Sequence, residues 1–301
     1  MKKILTLIPA LLLSLTLFAQ EAKPAAAPES PWKRGVLTQV GFSQLSLTNW
    51  AAGGSGSVSL NAYLDIYANY KKDKIIFNNE LQLGYGFIQS FDDGYKKSDD
   101  RIIFDSKFGS RISDKLYLST VLGFRSQFAD GYNSKNELVS GAFAPAYTTA
   151  GLGIDYQPAN NFAINFAPVT GKLIMVADPA LRSIYGNDED QFTRFELGAQ
   201  LKLDNKLEVK DFTVKSSLTL FSNYLDKPLN IKVNWDVNVD AKITRFFSVS
   251  LRTSLAYDDK VKSKKINIIG EDGTATTQMV QGIQFKELFT VGFSYLLGSK
   301  K

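Results

Sequence analysis

The feature that most constrains this chain is a period-two alternation of apolar and polar residues, sustained over stretches of about 12 to 16 positions. From Ile231 to Ile243 the residues Ile231, Val233, Trp235, Val237, Val239, Ala241 and Ile243 alternate with Lys232, Asn234, Asp236, Asn238, Asp240 and Lys242. Val58 to Ala68 repeats the arrangement against Asn61, Tyr63, Asp65 and Tyr67, and Phe285 to Leu297 repeats it near the C-terminus, with Glu287 as the exception on the apolar face. Side chains of a strand point alternately to its two faces, so each stretch has one apolar and one polar side.

Strands in soluble sheets average about five or six residues, whereas a tilted strand that crosses a bilayer needs about ten. Length therefore favours a membrane barrel over a soluble sandwich. Beyond residue 19 no apolar run reaches the roughly 18 residues of a membrane helix, and no helical period is sustained. An open sheet edge in hydrocarbon would leave a row of backbone groups unpaired at several kcal/mol each, so such strands must close on themselves.

The connections fit this reading. Tight turns are expected at Lys71–Lys74, Ser113–Lys115, Pro158–Asn161, Asn205–Asp211 and Thr244–Phe246. Longer polar connections are expected at Asn49–Gly56, Asp92–Asp100, Ala129–Ala144, Ala177–Asp190, Leu225–Pro228 and Asp259–Gly282. Short and long connections in alternation belong to an outer-membrane barrel, with turns in the periplasm and loops outside. The count is about twelve antiparallel strands, with ten or fourteen open because Val36–Leu47 and Phe162–Met175 are irregular. An even number puts both termini in the periplasm.

The N-terminus reads as an export signal over residues 1–19: Lys2 and Lys3, an apolar run from Ile4 to Phe18, then Ala19 before Gln20. Removing it takes two of the 35 basic residues and none of the 30 acidic ones, leaving a surplus of three, too weak for a nucleic-acid binder. Residues 20–34, rich in Ala and Pro, read as a disordered periplasmic leader, and 35–301 as the barrel domain. The chain has no cysteine, hence no lipidation site or disulfide, and no histidine. Hydrolases that use histidine as general base are thereby excluded, although a Ser–Lys pair or a carboxylate dyad stays open as a third reading. No catalytic residue, cofactor or metal site is expected.

Asn49-Trp50-Ala-Ala-Gly53-Gly54, Tyr67 to Tyr70 with the lysine pair after it, Gln127 to Asn133, Phe143 to Tyr147, Asp155 to Pro158 and Pro168 to Lys172 together resemble an uncharacterised Bacteroidota outer-membrane β-barrel family. The resemblance implies an outer-membrane location and names no substrate or catalytic residue. Asn49, Trp50, Gly53 and Gly54 do not form a phosphate-binding loop, because no helix follows them; they read as an external hairpin with Trp50 at the interface. Gly84-Tyr-Gly86 lies within a strand and reads as space for a bulky neighbour. The acidic groups at Asp92, Asp93, Asp99, Asp100 and Asn187–Asp190 lack the spacing of a calcium loop and read as solvated charge.

With the apolar face toward lipid, Arg111, Arg125, Arg194, Lys202, Lys232, Asp236, Asp240 and Arg252 line the lumen. If they leave a water path, the barrel is a passive or weakly selective channel for small polar solutes, biased toward anions by Arg111, Arg125, Arg194 and Arg252. If they interlock, it is a closed structural or assembly barrel whose external loops bind a surface partner. The expected partners are outer-membrane lipids, the barrel-assembly machinery and such a surface partner, with no nucleic acid.

Overall fold

Twelve long strands form a closed barrel in which every neighbouring pair is antiparallel. The computed structural model describes residues 30–45, 56–92, 94–133, 136–269 and 275–298. In chain order the barrel strands are β1 (Trp32–Leu45), β2 (Ser57–Lys72), β3 (Ile75–Ser90), β4 (Gly94–Ser113), β5 (Leu116–Ser126), β8 (Ala146–Ala159), β9 (Phe162–Met175), β10 (Thr193–Val209), β11 (Phe212–Asn223), β12 (Lys232–Lys242), β13 (Phe247–Tyr257) and β16 (Gln284–Gly298). Two small hairpins, β6 (Gly131–Tyr132) with β7 (Leu138–Ser140) and β14 (Lys262–Ile269) with β15 (Ala275–Gln281), interrupt the meander. One helical turn, α1 (Pro179–Arg182), is capped by Asp178, whose carboxylate accepts from the Ala180 N–H. The expected export signal and the Asn49, Trp50, Gly53, Gly54 motif fall outside the described residues.

Burial is inverted relative to a soluble protein. Lys232 is 2% exposed and Asp155, Glu196 and Arg252 are equally hidden, whereas Phe293 is 69% exposed and Phe42, Leu118, Phe166 and Phe289 also face outward. An apolar belt of this extent would drive aggregation in water, so it requires an apolar solvent. Among the described residues no helix is long and apolar enough to cross a membrane; the strands do the crossing.

The connections split by end. One end carries the tight turns at Asp73–Lys74, Asp114–Lys115, Asn160–Asn161, Lys210–Asp211 and Ile243–Phe246, with Asp73 and Lys210 at positive φ. The other end carries the long connections, with one exception. The expected loop Asp92–Asp100 is a tight turn, because β4 begins at Gly94, whose φ of +78° suits only glycine well. β10 likewise continues to Val209 through most of the expected Asn205–Asp211 turn. At the N-terminus β1 begins at Trp32, three residues before the expected domain boundary, and Trp32 packs edge-on against Tyr70 at 5.2 Å.

The irregularity read in Phe162–Met175 is a bulge. Pro168 has no N–H for a ladder bond, and the register against β10 slips between Gly198 and Gln200 while that against β8 slips between Leu152 and Ile154. The kink brings backbones together: a Cβ on Gly153 would lie 2.1 Å from the Phe166 carbonyl oxygen, and one on Gly198 would lie 1.8 Å from that of Ser222. A bulge in β4 places Ser98 as an extra residue between the pairs Gly86–Asp99 and Phe87–Lys97.

Candidate functional site

The lumen is built by the inward residue of every second strand position, and those residues are charged or amide-bearing over most of its height. Several ion pairs cross it. Lys215 on β11 and Glu80 on β3, which are diametrically opposed in the ring of twelve strands, approach to 3.4 Å. Arg125 on β5 donates to Asp236 on β12 at 2.9 Å, five strand positions away, and Asp236 also accepts from the Ser254 hydroxyl at 2.7 Å. Lys202 on β10 meets Asp105 on β4 at 3.1 Å.

A second group surrounds Tyr63, whose ring fills the space left by Gly84 directly opposite it, where a Cβ would lie 2.8 Å from the ring. The guanidinium of Arg252 stacks over that ring at 4.2 Å and donates to the Gln39 amide oxygen. Gln39 in turn donates to Asp240 at 2.9 Å, and Ser250 donates to the same carboxylate at 2.6 Å. The Tyr63 hydroxyl donates to Asp99 at 2.8 Å, and Asp99 also receives Arg101 at 2.8 Å and Lys286 at 2.5 Å.

A third cluster lies toward the long-loop end. Lys232 donates to Glu196 at 2.5 Å and meets Asp258 at 3.0 Å. Arg194 also donates to Glu196, and to the Tyr185 carbonyl at 3.2 Å. Lys172 lies 3.7 Å from Asp258 and sits over the rings of Tyr147 and Phe221. Asp258, in the loop after β13, would be pushed up by burial, but Lys172 and Lys232 beside it hold its carboxyl below the usual carboxylate range. Above this cluster the 176–192 connection folds over the mouth, where Val176 and Leu181 pack on Ala144 and the inward Ile174. Burial there pushes the Tyr185 hydroxyl up to about 12, and that hydroxyl donates to the Val139 carbonyl at 2.8 Å.

Of the residues expected to line the lumen, Arg125, Arg194, Lys202, Lys232, Asp236, Asp240 and Arg252 all turn inward into these three groups. Arg111 does not join them. It is exposed at the turn end and donates to the Asp73 carbonyl, because its strand reaches the rim there. The four arginines therefore do not form one basic lining; three are each spoken for by a carboxylate or amide partner. Asp99 and Asp100 are not free solvated charge either, whereas Asp188, Glu189 and Asp190 are exposed and only the uncharged Asn187 of that run is buried. Asp99 and Asp100 have side chains 0% and 2% exposed in ion pairs, and Asn187 donates to the carbonyls of Gln191 and Phe192. Among the described residues no cluster of His, Cys, Asp and Glu is placed to hold a metal ion.

Sequence reasoning missed Lys97 and Asp99 by placing them in a loop, and passed over Arg101, Asp155 and Lys172. Asp155 is fully buried and accepts from Lys107 at 2.7 Å. The signal was available: Asp99, Arg101, Ile103, Asp105 and Lys107 share one phase of the β4 alternation, which the Ser98 bulge interrupts.

Fold and site together define a membrane-spanning, twelve-stranded antiparallel barrel with a lumen crossed by ion pairs. A family described as a protein of unknown function (DUF3078) matches residues 42–132, which covers β2 to β5 and the β6 strand. None of the curated proteins compared matches the chain. Solved structures that resemble it include the COG4313 outer membrane channel from Pseudomonas putida F1, at 13% identity, a TM-score of 0.38 and coverage of 93% of this chain and 100% of that one. The translocator domain of autotransporter NalP from Neisseria meningitidis matches at 11% identity and a TM-score of 0.37, covering 96% of this chain and 93% of that one. The P. putida toluene transporter TodX matches at 9% identity and a TM-score of 0.29, covering 91% of each chain. Such distant likenesses say nothing of a solute or role, and the barrel rests on the chain's own strand pairing.

Proposed function

We propose that this chain is an outer-membrane barrel, exported by its N-terminal segment, inserted by the assembly machinery with both termini periplasmic, and held closed across its lumen. The observation that carries closure is the diametric Lys215–Glu80 pair together with Arg125–Asp236 and Lys202–Asp105. Side chains that meet from opposite walls obstruct the lumen at that height, and charges already paired offer little field to a passing anion. Of the two outcomes that a charged lumen permits, interlocking thus has the better support, and an anion-biased passive pore has less. The barrel acts without catalysis, and the long connections around residues 129–144 and 259–282 are its surface for contacts outside.

Planar-bilayer recording of refolded protein tests this. Protein that shows heat-modifiable barrel migration is expected to give no conductance steps near neutral pH. Steady steps with anion selectivity would overturn closure and restore the channel.

A further inference from the structure

The lipid face of the barrel carries a band of polar groups where β1 to β4 leave the turn end. On β1, Gln39 reaches into the lumen to donate to Asp240, so the alternate set Trp32, Arg34, Val36 and Val40 faces outward. Register carries that face across the next three strands. Trp32 falls in line with Tyr70, Phe77 and Phe108, an aromatic row, and Val36 with Ile66, Leu81 and Phe104, an apolar row. Between these rows Arg34 falls in line with Ala68, Asn79 and Ser106.

Three polar side chains thus lie one outward step further from the turn end than the rings. Asn79 and Ser106 satisfy each other: the Ser106 hydroxyl donates to the Asn79 amide oxygen at 2.8 Å, and the amide nitrogen donates to the Ala68 carbonyl at 3.2 Å. Arg34 has no such arrangement. Its guanidinium folds back over the Trp32 ring at 5.0 Å, and Trp32 is held edge-on by Tyr70 at 5.2 Å and Phe77 at 6.4 Å. A long basic side chain on a lipid face bends in this way to bring its charge to the interface.

Lys72 lies two positions past Tyr70 on the same outward face. Among the described residues neither Arg34 nor Lys72 donates a hydrogen bond or meets a carboxylate, and both are exposed. Lys33, Lys71 and Lys74 are exposed nearby, with Asp73 as the acidic residue among them. A planar guanidinium on an aromatic shelf presents its N–H fork to a phosphate, and an ammonium beside it adds a point charge. An anion taken from water needs neither rings nor an arginine set on the lipid side, whereas a lipid head is brought there by the bilayer.

We infer that Arg34, Trp32, Tyr70 and Lys72 bind the phosphate head of an anionic phospholipid in the turn-side leaflet, its acyl chains lying along Val36, Ile66 and Leu81. The inference rests on the chain spanning a bilayer and is independent of whether the lumen is closed.

The test uses the full chain in lipid nanodiscs with Trp50→Phe and Trp235→Phe, which leaves Trp32 as the reporter among the three tryptophans. Its fluorescence is quenched by brominated phosphatidylglycerol or brominated phosphatidylcholine, each diluted with the other lipid unbrominated, and the two series give the relative affinity at the ring. Phosphatidylglycerol should be preferred at least about tenfold, the effect of two basic groups at an anionic surface. Arg34→Gln and Lys72→Gln should each lower that preference about fivefold. Lys210→Gln, at the β10–β11 turn on the far side of the ring, should leave it unchanged. Heat-modifiable migration of each variant shows that it has folded. Brominated phosphatidylcholine checks the spanning reading by itself: no quenching of Trp32 by it would remove the bilayer and the site together, whereas quenching by both lipids without preference would overturn the site alone. A preference that Lys210→Gln lowers as much as Arg34→Gln would also overturn it, as the mark of diffuse surface charge. So would one that millimolar inorganic phosphate abolishes, as the mark of an anion site fed from water.

Discussion

Replacing Lys232 with methionine removes the most buried cation of the barrel and leaves two carboxylates to account for. Lys232 is 2% exposed, and its ammonium serves Glu196 and Asp258. Glu196 is 1% exposed and already has one oxygen, Oε2, without a hydrogen-bond partner. Breaking a buried pair by removing one partner costs about 3–5 kcal/mol, because the remaining charge stays in a poor dielectric. Arg194 still reaches Glu196, and Lys172 still lies 3.7 Å from Asp258, which places the expected loss at the lower end, about 3 kcal/mol. With a urea slope of about 2 kcal/mol/M, the unfolding midpoint should fall by about 1.5 M. The assay is urea unfolding of the barrel refolded in lipid vesicles, followed by fluorescence of its three tryptophans. Adding Glu196→Gln to Lys232→Met removes the stranded charge and should restore more than half of the shift. A single-variant shift under about 0.5 M, or a double variant as damaged as the single, would refute the reasoning.

Gly198→Ala places a methyl group 1.8 Å from the Ser222 carbonyl oxygen, where backbone must move, so a loss of about 1–3 kcal/mol is expected in the same titration. Phe289→Arg puts a charge on the lipid face and should cost about 2–4 kcal/mol if that face lies near the bilayer centre, and a neutral result would place Phe289 at an interface. The Asp258 carboxyl is held below its ordinary value of 3.8, so its contribution is complete above that value and is lost as pH falls through the lower, folded one. Hydrogen exchange at the Lys262 N–H, which donates to the Ile184 carbonyl at 2.9 Å, should stay protected from neutral pH to about 5 and loosen only in stronger acid. Asp258→Asn should remove that dependence.

The barrel was legible because its lipid-facing half obeys a simple rule. Every outward residue from Val233 to Ala241 is apolar, as are those from Val58 to Ala68, and about twelve such strands can be counted without knowing a single contact, with ten or fourteen left open by the irregular stretches. The inward half obeys no such rule. A strand with Lys96, Lys97, Asp99, Asp100 and Arg101 reads as a loop, since charge is common to loops and to a lumen, and one bulge at Ser98 shifts the phase that would have separated the two. Partner choice across the lumen is still less visible. Nothing in the local sequence of Lys215 indicates Glu80, 135 positions away, because the pairing is fixed by the shear of the closed barrel. The seam between β1 and β16 was hidden for the same reason: Val36–Leu47 looked irregular, but its partner lies at the far end of the chain.

Those sequence separations also fix when the cross-lumen contacts can form. Arg125 and Asp236 lie 111 residues apart, Asp99 and Lys286 187, and Gln39 and Arg252 213. None can be made until strands from both halves of the chain stand in one ring, so they form only as the barrel closes. Interactions of that kind leave the folding rate alone and slow unfolding. Breaking one such late contact, as Arg125→Met would, should therefore speed unfolding of the barrel while leaving its refolding rate unchanged.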